Sequence, residues 1–91
     1  MPAAIRDNTA LHRFELEEGG VTAVANYTLA DGVITFTHTE TPPQARSHGM
    51  ASRLVAGALQ ASRARGLRVV PQCSFVRAYL ARHPQFADLM A

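Results

Sequence analysis

Residues 33–59 read VITFTHTETPPQARSHGMASRLVAGAL, and the hydrophobic period of the chain changes in the middle of this stretch. Up to Thr41, Ile34 and Phe36 alternate with Thr35, Thr37 and Thr39, the period of two expected of a strand with one buried face. From Gly49 onward, Ala51, Leu54, Val55, Ala58, Leu59 and Ser62 recur at helical spacing, with Arg53, Gln60 and Arg63 off the stripe. Between the two patterns, Pro42-Pro43 steers the chain out of the strand. The segment is therefore a strand, a turn and a helix that opens at a glycine.

Upstream, two turn signals fix more strands. Gly19-Gly20 and Asp31-Gly32 each suit a two-residue hairpin loop that needs positive φ. Taken literally, the first sets Leu16 opposite Ala23, Phe14 opposite Ala25 and His12 opposite Tyr27. The second sets Leu29 opposite Ile34, Tyr27 opposite Phe36, Ala25 opposite His38 and Ala23 opposite Glu40. Both turns collect the apolar residues on one face, and a slip of one residue would scatter them. The other face is threonine-rich: Thr22, Thr28, Thr35, Thr37 and Thr39. The spacing predicts a three-stranded antiparallel meander over residues 10–40.

Downstream, Arg63 and Arg65 favour the negative end of the first helix, and Gly66 sits where a terminating glycine belongs. A short strand, residues 67–71, follows. Ser74 is the expected cap of a second helix with the stripe Phe75, Val76, Tyr79 and Leu80. His83-Pro84 ends it, because the residue before proline is pushed out of the helical region. Phe86, Leu89 and Met90 form a small apolar tail. The element order is β-β-β-α-β-α, an α+β (mixed α/β) sandwich, and residues 1–91 are expected to form a single domain.

The 91-residue chain carries a formal charge of +2, and all nine of its basic residues are arginine. Residues 1–45 sum to −4 and residues 46–91 to +6. A basic half hidden in a nearly neutral protein points to an anionic partner: a nucleotide, a phosphate or nucleic acid. The 47% hydrophobic and 18% charged composition excludes a mostly disordered chain and a collagen-like repeat. Cys73 is the only cysteine, which excludes an internal disulfide. No apolar run reaches the ~20 residues that span a bilayer, and no leader peptide is visible, so a cytoplasmic location is expected. The four histidines and the one cysteine have no zinc-like spacing, and no metal is expected.

The turn from strand to helix carries the first chemistry. The opening N–H groups of a helix have no intrahelical partner, and with the positive end of the macrodipole they suit an anion. Gly49 and Ala51 keep side chains out of the way of a phosphate, while Arg46 and Arg53 add charge. The plain alternative is an ordinary glycine-bearing turn.

Arg46-x-x-Gly49-x-Ala51 after a strand, with Pro43 three residues before the arginine, resembles the acetyl-CoA signature of the GNAT acetyltransferase superfamily. More narrowly, Phe36-Thr-His38-Thr-Glu40-x-Pro, then Val-Val-Pro71-x-Cys73-x-Phe75-Val and Arg82-His83-Pro84, resemble its minimal members over residues 10–90. The resemblance implies acetyl-CoA in a cleft where strands 33–40 and 67–71 splay apart. Its pyrophosphate would rest on Arg46, Ser47, His48, Gly49, Met50, Ala51 and Ser52, and its pantetheine on strand backbone near Thr39 and Thr41. The chain departs from the family in three places. Gln72 or Cys73 stands near the place of a common asparagine. Glu18-Gly19-Gly20-Val21 leaves room only for a turn where the family has helices. Two C-terminal strands have no counterpart before Ala91, so an open acceptor side suited to a large or exposed amine is expected.

Acetyl transfer needs a neutral amine, a polarised thioester and a proton for the departing thiolate. His38 and Glu40, set over small alanines by the register above, are candidate bases; otherwise they are a core histidine and a solvated strand end. Tyr79 stands near the superfamily's proton-donating tyrosine, or is part of an apolar stripe. Cys73 is a nucleophile, a proton donor to coenzyme A, or a small buried filler. The leading expectation is an N-acetyltransferase working by direct attack in a ternary complex on an unidentified amine. The alternative is a coenzyme A or nucleotide-binding module without efficient transfer. Nucleic-acid binding is disfavoured, because the strand face lacks an aromatic pair for stacking bases. An exposed sheet edge leaves monomer and homodimer both open.

Overall fold

The computed structural model describes residues 5–43 and 49–91. Four antiparallel strands come first: β1 (Ile5–Asn8), β2 (Arg13–Glu18), β3 (Val21–Ala30) and β4 (Val33–Glu40). Helix α1 (Met50–Ala64) crosses over to β5 (Arg68–Pro71), which pairs parallel to β4. Helix α2 (Ser74–Arg82) and a 3-10 helix (Pro84–Leu89) complete the described chain. The sheet order is β1-β2-β3-β4-β5. The fold class is the α+β arrangement expected, with β1 added at the front of the order.

The hairpins form as the turn residues dictate. Gly19 and Gly20 both take positive φ, and Asp31 and Gly32 do so at the second turn. Phe14 pairs with Ala25, Leu16 with Ala23, Leu29 with Ile34 and Tyr27 with Phe36. One sheet face thus carries Phe14, Leu16, Ala23, Ala25, Tyr27, Ile34, Phe36 and Val69, all buried. Helix α1 packs across β1, β2 and β3, and α2 packs on β4 and β5. Leu54, Val55, Ala58 and Leu59 of α1, with Val76 and Leu80 of α2, fill the same core. β1 approaches α1 closely: a Cβ at Gly57 would lie 2.7 Å from the Ile5 side chain.

The register departs from the sequence expectation beyond Phe36. The pairing shifts between Asn26 and Tyr27, so that Asn26 lies opposite His38, Ala25 opposite Thr39 and Val24 opposite Glu40. Thr37 is the extra residue of a β-bulge, and each residue after it is moved to the other face. His38 and Glu40 therefore leave the alanine face for the outer one, and Thr39 leaves the threonine-rich outer face for the inner one.

The helix ends follow from local chemistry. Gly66 takes φ 70°, its N–H donates to the Arg63 carbonyl, and the Leu67 N–H donates to that of Ser62. This pair of bonds satisfies the last carbonyls of α1 in a Schellman arrangement. The cap position of α2 falls on Cys73, one residue before the expected Ser74. Of the apolar tail, Phe86 and Leu89 dock into the core, whereas Met90 is exposed and bridges to Val69. No helix among the described residues is long and apolar enough to cross a membrane.

Candidate functional site

β4 and β5 pair only from Val33 with Arg68 to Phe36 with Pro71. Beyond that point β4 runs on to Glu40, while the other chain turns into α2. The last backbone-to-backbone link between them is the Cys73 N–H, which donates to the Phe36 carbonyl at 2.9 Å. The strands part here, and a cleft of about 450 Å³ opens, lined by His38, Thr39, Glu40, Thr41, Ala51 and Phe75.

The bulge at Thr37 decides what the cleft contains. It turns Thr39 inward, so that its Oγ1 lies 3.3 Å from the Cys73 Sγ. Burial pushes the Cys73 thiol up. The hydrogen bond with the Thr39 side chain, and those with backbone groups of Val76, Phe75 and Thr39, more than offset this, and the net direction is down. The Val76 and Phe75 groups belong to the first turn of α2, the positive end of its dipole, while Thr39 reaches the sulfur from β4. His38 and Glu40 face outward at the mouth, with side chains 61% and 69% exposed and His38 Nε2 3.9 Å from Glu40 Oε2. The expectation that they stand over Ala25 and Ala23 is corrected, because the bulge reverses their direction.

At the start of α1, Gly49 takes φ 68° and ψ 17°, left-handed backbone that favours glycine. Among the described residues no side chain caps this helix, and its first turn holds no acidic residue. The exposed backbone at a left-handed glycine and the positive end of the α1 dipole are the chemistry a phosphate would need here. Ala51 lines the cleft. Met50, expected at the cofactor, instead buries its side chain in the core at 1% exposure, so only its backbone is available there. The Arg53 guanidinium folds back towards Gly49 and pairs with Glu18 of β2. Arg46, Ser47 and His48 lie outside the described residues.

Ser52 and Tyr79 share a second, smaller groove of about 220 Å³ with Phe75, Ala78, Arg82 and His83. The Tyr79 ring stacks on His83 at 3.9 Å between centroids, and burial raises its hydroxyl above the ordinary tyrosine range. Phe75 borders both grooves at 38% exposure. Its place on the apolar stripe of α2 points to the core, whereas its position two residues after Cys73 in the quoted motif points to the cleft.

A larger hollow, about 560 Å³, lies on the outer sheet face around Arg6, Arg13, Glu15, Glu17 and Thr22. Its central acid is already engaged. Glu15 accepts from Arg6 at 2.5 Å, Arg13 at 2.7 Å and Asn8 at 3.1 Å, and these bonds hold its carboxyl down at about 2. The splayed cleft is lined by the Thr39 hydroxyl, with the buried Cys73 thiol behind it, beside a strand backbone and a helix start, and is the better candidate. Among the described residues no group of three or more His, Cys, Asp or Glu side chains could hold a metal ion.

A family model described as GCN5-related N-acetyl-transferase matches residues 13–89. The NMR solution structure of a GCN5-like candidate N-acetyltransferase from Staphylococcus aureus shares the fold, with a TM-score of 0.74. The two are 20% identical over 98% of this chain and 88% of that one. No curated protein matches the chain.

Proposed function

The chain belongs to the GCN5-related N-acetyltransferase family, and on that premise we propose that residues 1–91 act as one acetyl-CoA-dependent N-acetyltransferase domain. The amine attacks directly, in a ternary complex. The observation that carries this reading is the parting of β4 and β5 beside the helix start at Gly49, a left-handed glycine. Family membership gives that geometry its meaning.

Backbone groups around Gly49, Ala51 and Ser52, with Arg46, Ser47 and His48, would hold the phosphates, and strand backbone near Thr39 and Thr41 would hold the pantetheine. When bound, acetyl-CoA supplies an acetyl group activated as a thioester. The protein's own part is proton management. His38 and Glu40, at the mouth, take the proton of the attacking amine, directly or through water. Their exposure suits an acceptor presented from outside. Cys73 and Tyr79 are the candidate donors of a proton to the leaving thiolate. Cys73 is the readier of the two, because its thiol is shifted down and the Tyr79 hydroxyl up. The proposed location is the cytoplasm, where a lone thiol stays reduced.

Calorimetric titration with acetyl-CoA tests the reading first. Saturable binding, lost or weakened in Gly49→Val, is expected; the absence of binding would overturn the proposal. Turnover against a panel of amines then separates an enzyme from a coenzyme A-binding module, which would bind without transferring. Intact mass after acetyl-CoA exposure addresses the route. An acetyl adduct on Cys73 would replace direct attack with a covalent path, whereas no adduct, with Cys73→Ser still active, supports direct attack.

A further inference from the structure

Arg53 sits in the first turn of α1, and its Nη1 would be only 3.6 Å from a Cβ at Gly49. The guanidinium therefore lies over the backbone that opens the helix. Its carboxylate partner comes from another element. Glu18, the last residue of β2, reaches across to Arg53 from beside the Gly19-Gly20 turn. The first turn of α1 holds no acid of its own, so the carboxylate facing Arg53 here is supplied by the hairpin. Both side chains are partly exposed, Arg53 at 49% and Glu18 at 34%, and water can reach the pair to let it exchange.

We propose that Glu18 is a specificity-setting residue that holds Arg53 beside the helix start until a phosphate of the cofactor displaces it. The inference rests on the reading that this site binds coenzyme A. On binding, the guanidinium exchanges a carboxylate for a phosphate oxygen, a stronger and often bidentate partner. Glu18 is left as an uncompensated negative charge beside the ligand. Glu18 thereby lowers the affinity for every phosphate-bearing ligand. It discriminates against small, weakly charged anions, which do not repay the broken pair, and favours a ligand with further contacts along the cleft. The plain surface ion pair, worth ~0–1 kcal/mol and tying hairpin to helix, predicts no such ligand dependence.

The test is calorimetric titration of the wild type, Glu18→Gln, Arg53→Gln and the double variant. Each is titrated with coenzyme A, dephospho-coenzyme A and pantetheine, at low and high salt. Glu18→Gln is expected to tighten coenzyme A about two- to fivefold at low salt, the range of an exposed charge pair. High salt should erase the gain, and pantetheine, which has no phosphate, should show none. Arg53→Gln should weaken coenzyme A about tenfold, the scale of a charge-assisted hydrogen bond, and in that background Glu18→Gln should have no further effect. A gain kept with dephospho-coenzyme A assigns the pyrophosphate as the receiver of Arg53, and a gain lost there assigns the 3′-phosphate; either supports the exchange. Tight coenzyme A binding with no response to Glu18→Gln would overturn this inference alone. No coenzyme A binding by the wild type would overturn the parent reading with it.

Discussion

The contact between Thr39 and Cys73 makes a quantitative prediction for Thr39→Val, which removes the hydroxyl and nearly keeps the shape. The Oγ1 to Sγ separation of 3.3 Å suits a hydrogen bond to sulfur, and the Thr39 side chain is among the groups that lower the Cys73 thiol. If the hydroxyl donates to the thiolate, its loss leaves burial less opposed, and the thiol must become harder to ionise. A net hydrogen bond of ~0.5–1.5 kcal/mol, at ~1.4 kcal/mol per tenfold, corresponds to an ionisation constant about two- to twelvefold smaller. Titration of the ultraviolet thiolate absorbance reads this directly. The alkylation rate should fall less, by about 1.5- to 4-fold, because a more basic thiolate is also a better nucleophile. Thr39→Ser, which keeps a hydroxyl, should restore the wild-type curve. A Thr39→Val thiol that ionises at the same or a lower pH would refute the reasoning: the sulfur would then be the donor, and Thr39 would stabilise the neutral thiol instead.

Three further outcomes are expected. Tyr27 is buried, and its hydroxyl donates to Asp7 at 2.6 Å, while Arg65 also holds Asp7 at 3.2 Å. Tyr27→Phe should cost ~1.5 kcal/mol, the low end for a bond to a charged acceptor, or about 8 °C in Tm for a chain of this length; calorimetry checks it. Burial and Asp7 raise the Tyr27 hydroxyl from 10.0 to about 12, so its stabilisation is complete below pH 10 and lost as pH rises through about 12, and Tyr27→Phe should lack this alkaline loss. Glu15 has the opposite sign: its folded value is lowered from 4.5 to about 2, so its contribution is present above about pH 4.5 and disappears as pH falls through about 2. Acid denaturation of Glu15→Gln should lack that component of the pH dependence. Gly57→Ala gains ~1 kcal/mol of helix propensity but drives a methyl to 2.7 Å from Ile5, an overpacking that costs ~1–3 kcal/mol. Urea unfolding should show it neutral or destabilising alone and stabilising in the Ile5→Ala background; additive effects would show that the contact carries no strain.

The sequence made the meander legible because two tight turns fix register without knowledge of the rest of the chain. The bulge was not legible. Thr37-His38-Thr39 reads equally well in either phase, since neither phase places a large apolar residue after Phe36, and only tertiary packing breaks the tie. The error fell on the candidate bases and on Thr39, the residue that reaches the thiol. β1 escaped notice because Ile5-Arg6-Asp7-Asn8 has a single apolar residue; its polar side chains are held by Glu15, Tyr27 and Arg65, partners distant in sequence. The helix opening at Gly49 was legible because its backbone conformation favours one residue type. The role of Glu18 was not, since an acid at a hairpin is ordinary until the fold brings Arg53 beside it.

Because one residue of β4 has no partner of its own across the sheet, length changes near it carry unequal consequences. Deleting Thr37 would remove the extra residue and leave His38, Thr39 and Glu40 opposite Asn26, Ala25 and Val24, on the sides they hold now. Flattening the bulge with Thr37 kept in the ladder would instead send His38 and Glu40 against the alanines of β3 and expel Thr39 from the sulfur. A compensating insertion after Glu40 would restore the loop's reach. An insertion or deletion in the Asp31-Gly32 hairpin would disturb only how the strands are joined. A one-residue deletion at the bulge is therefore compatible with the present sides, and a library that samples indels there would show which variants keep Thr39 on the sulfur.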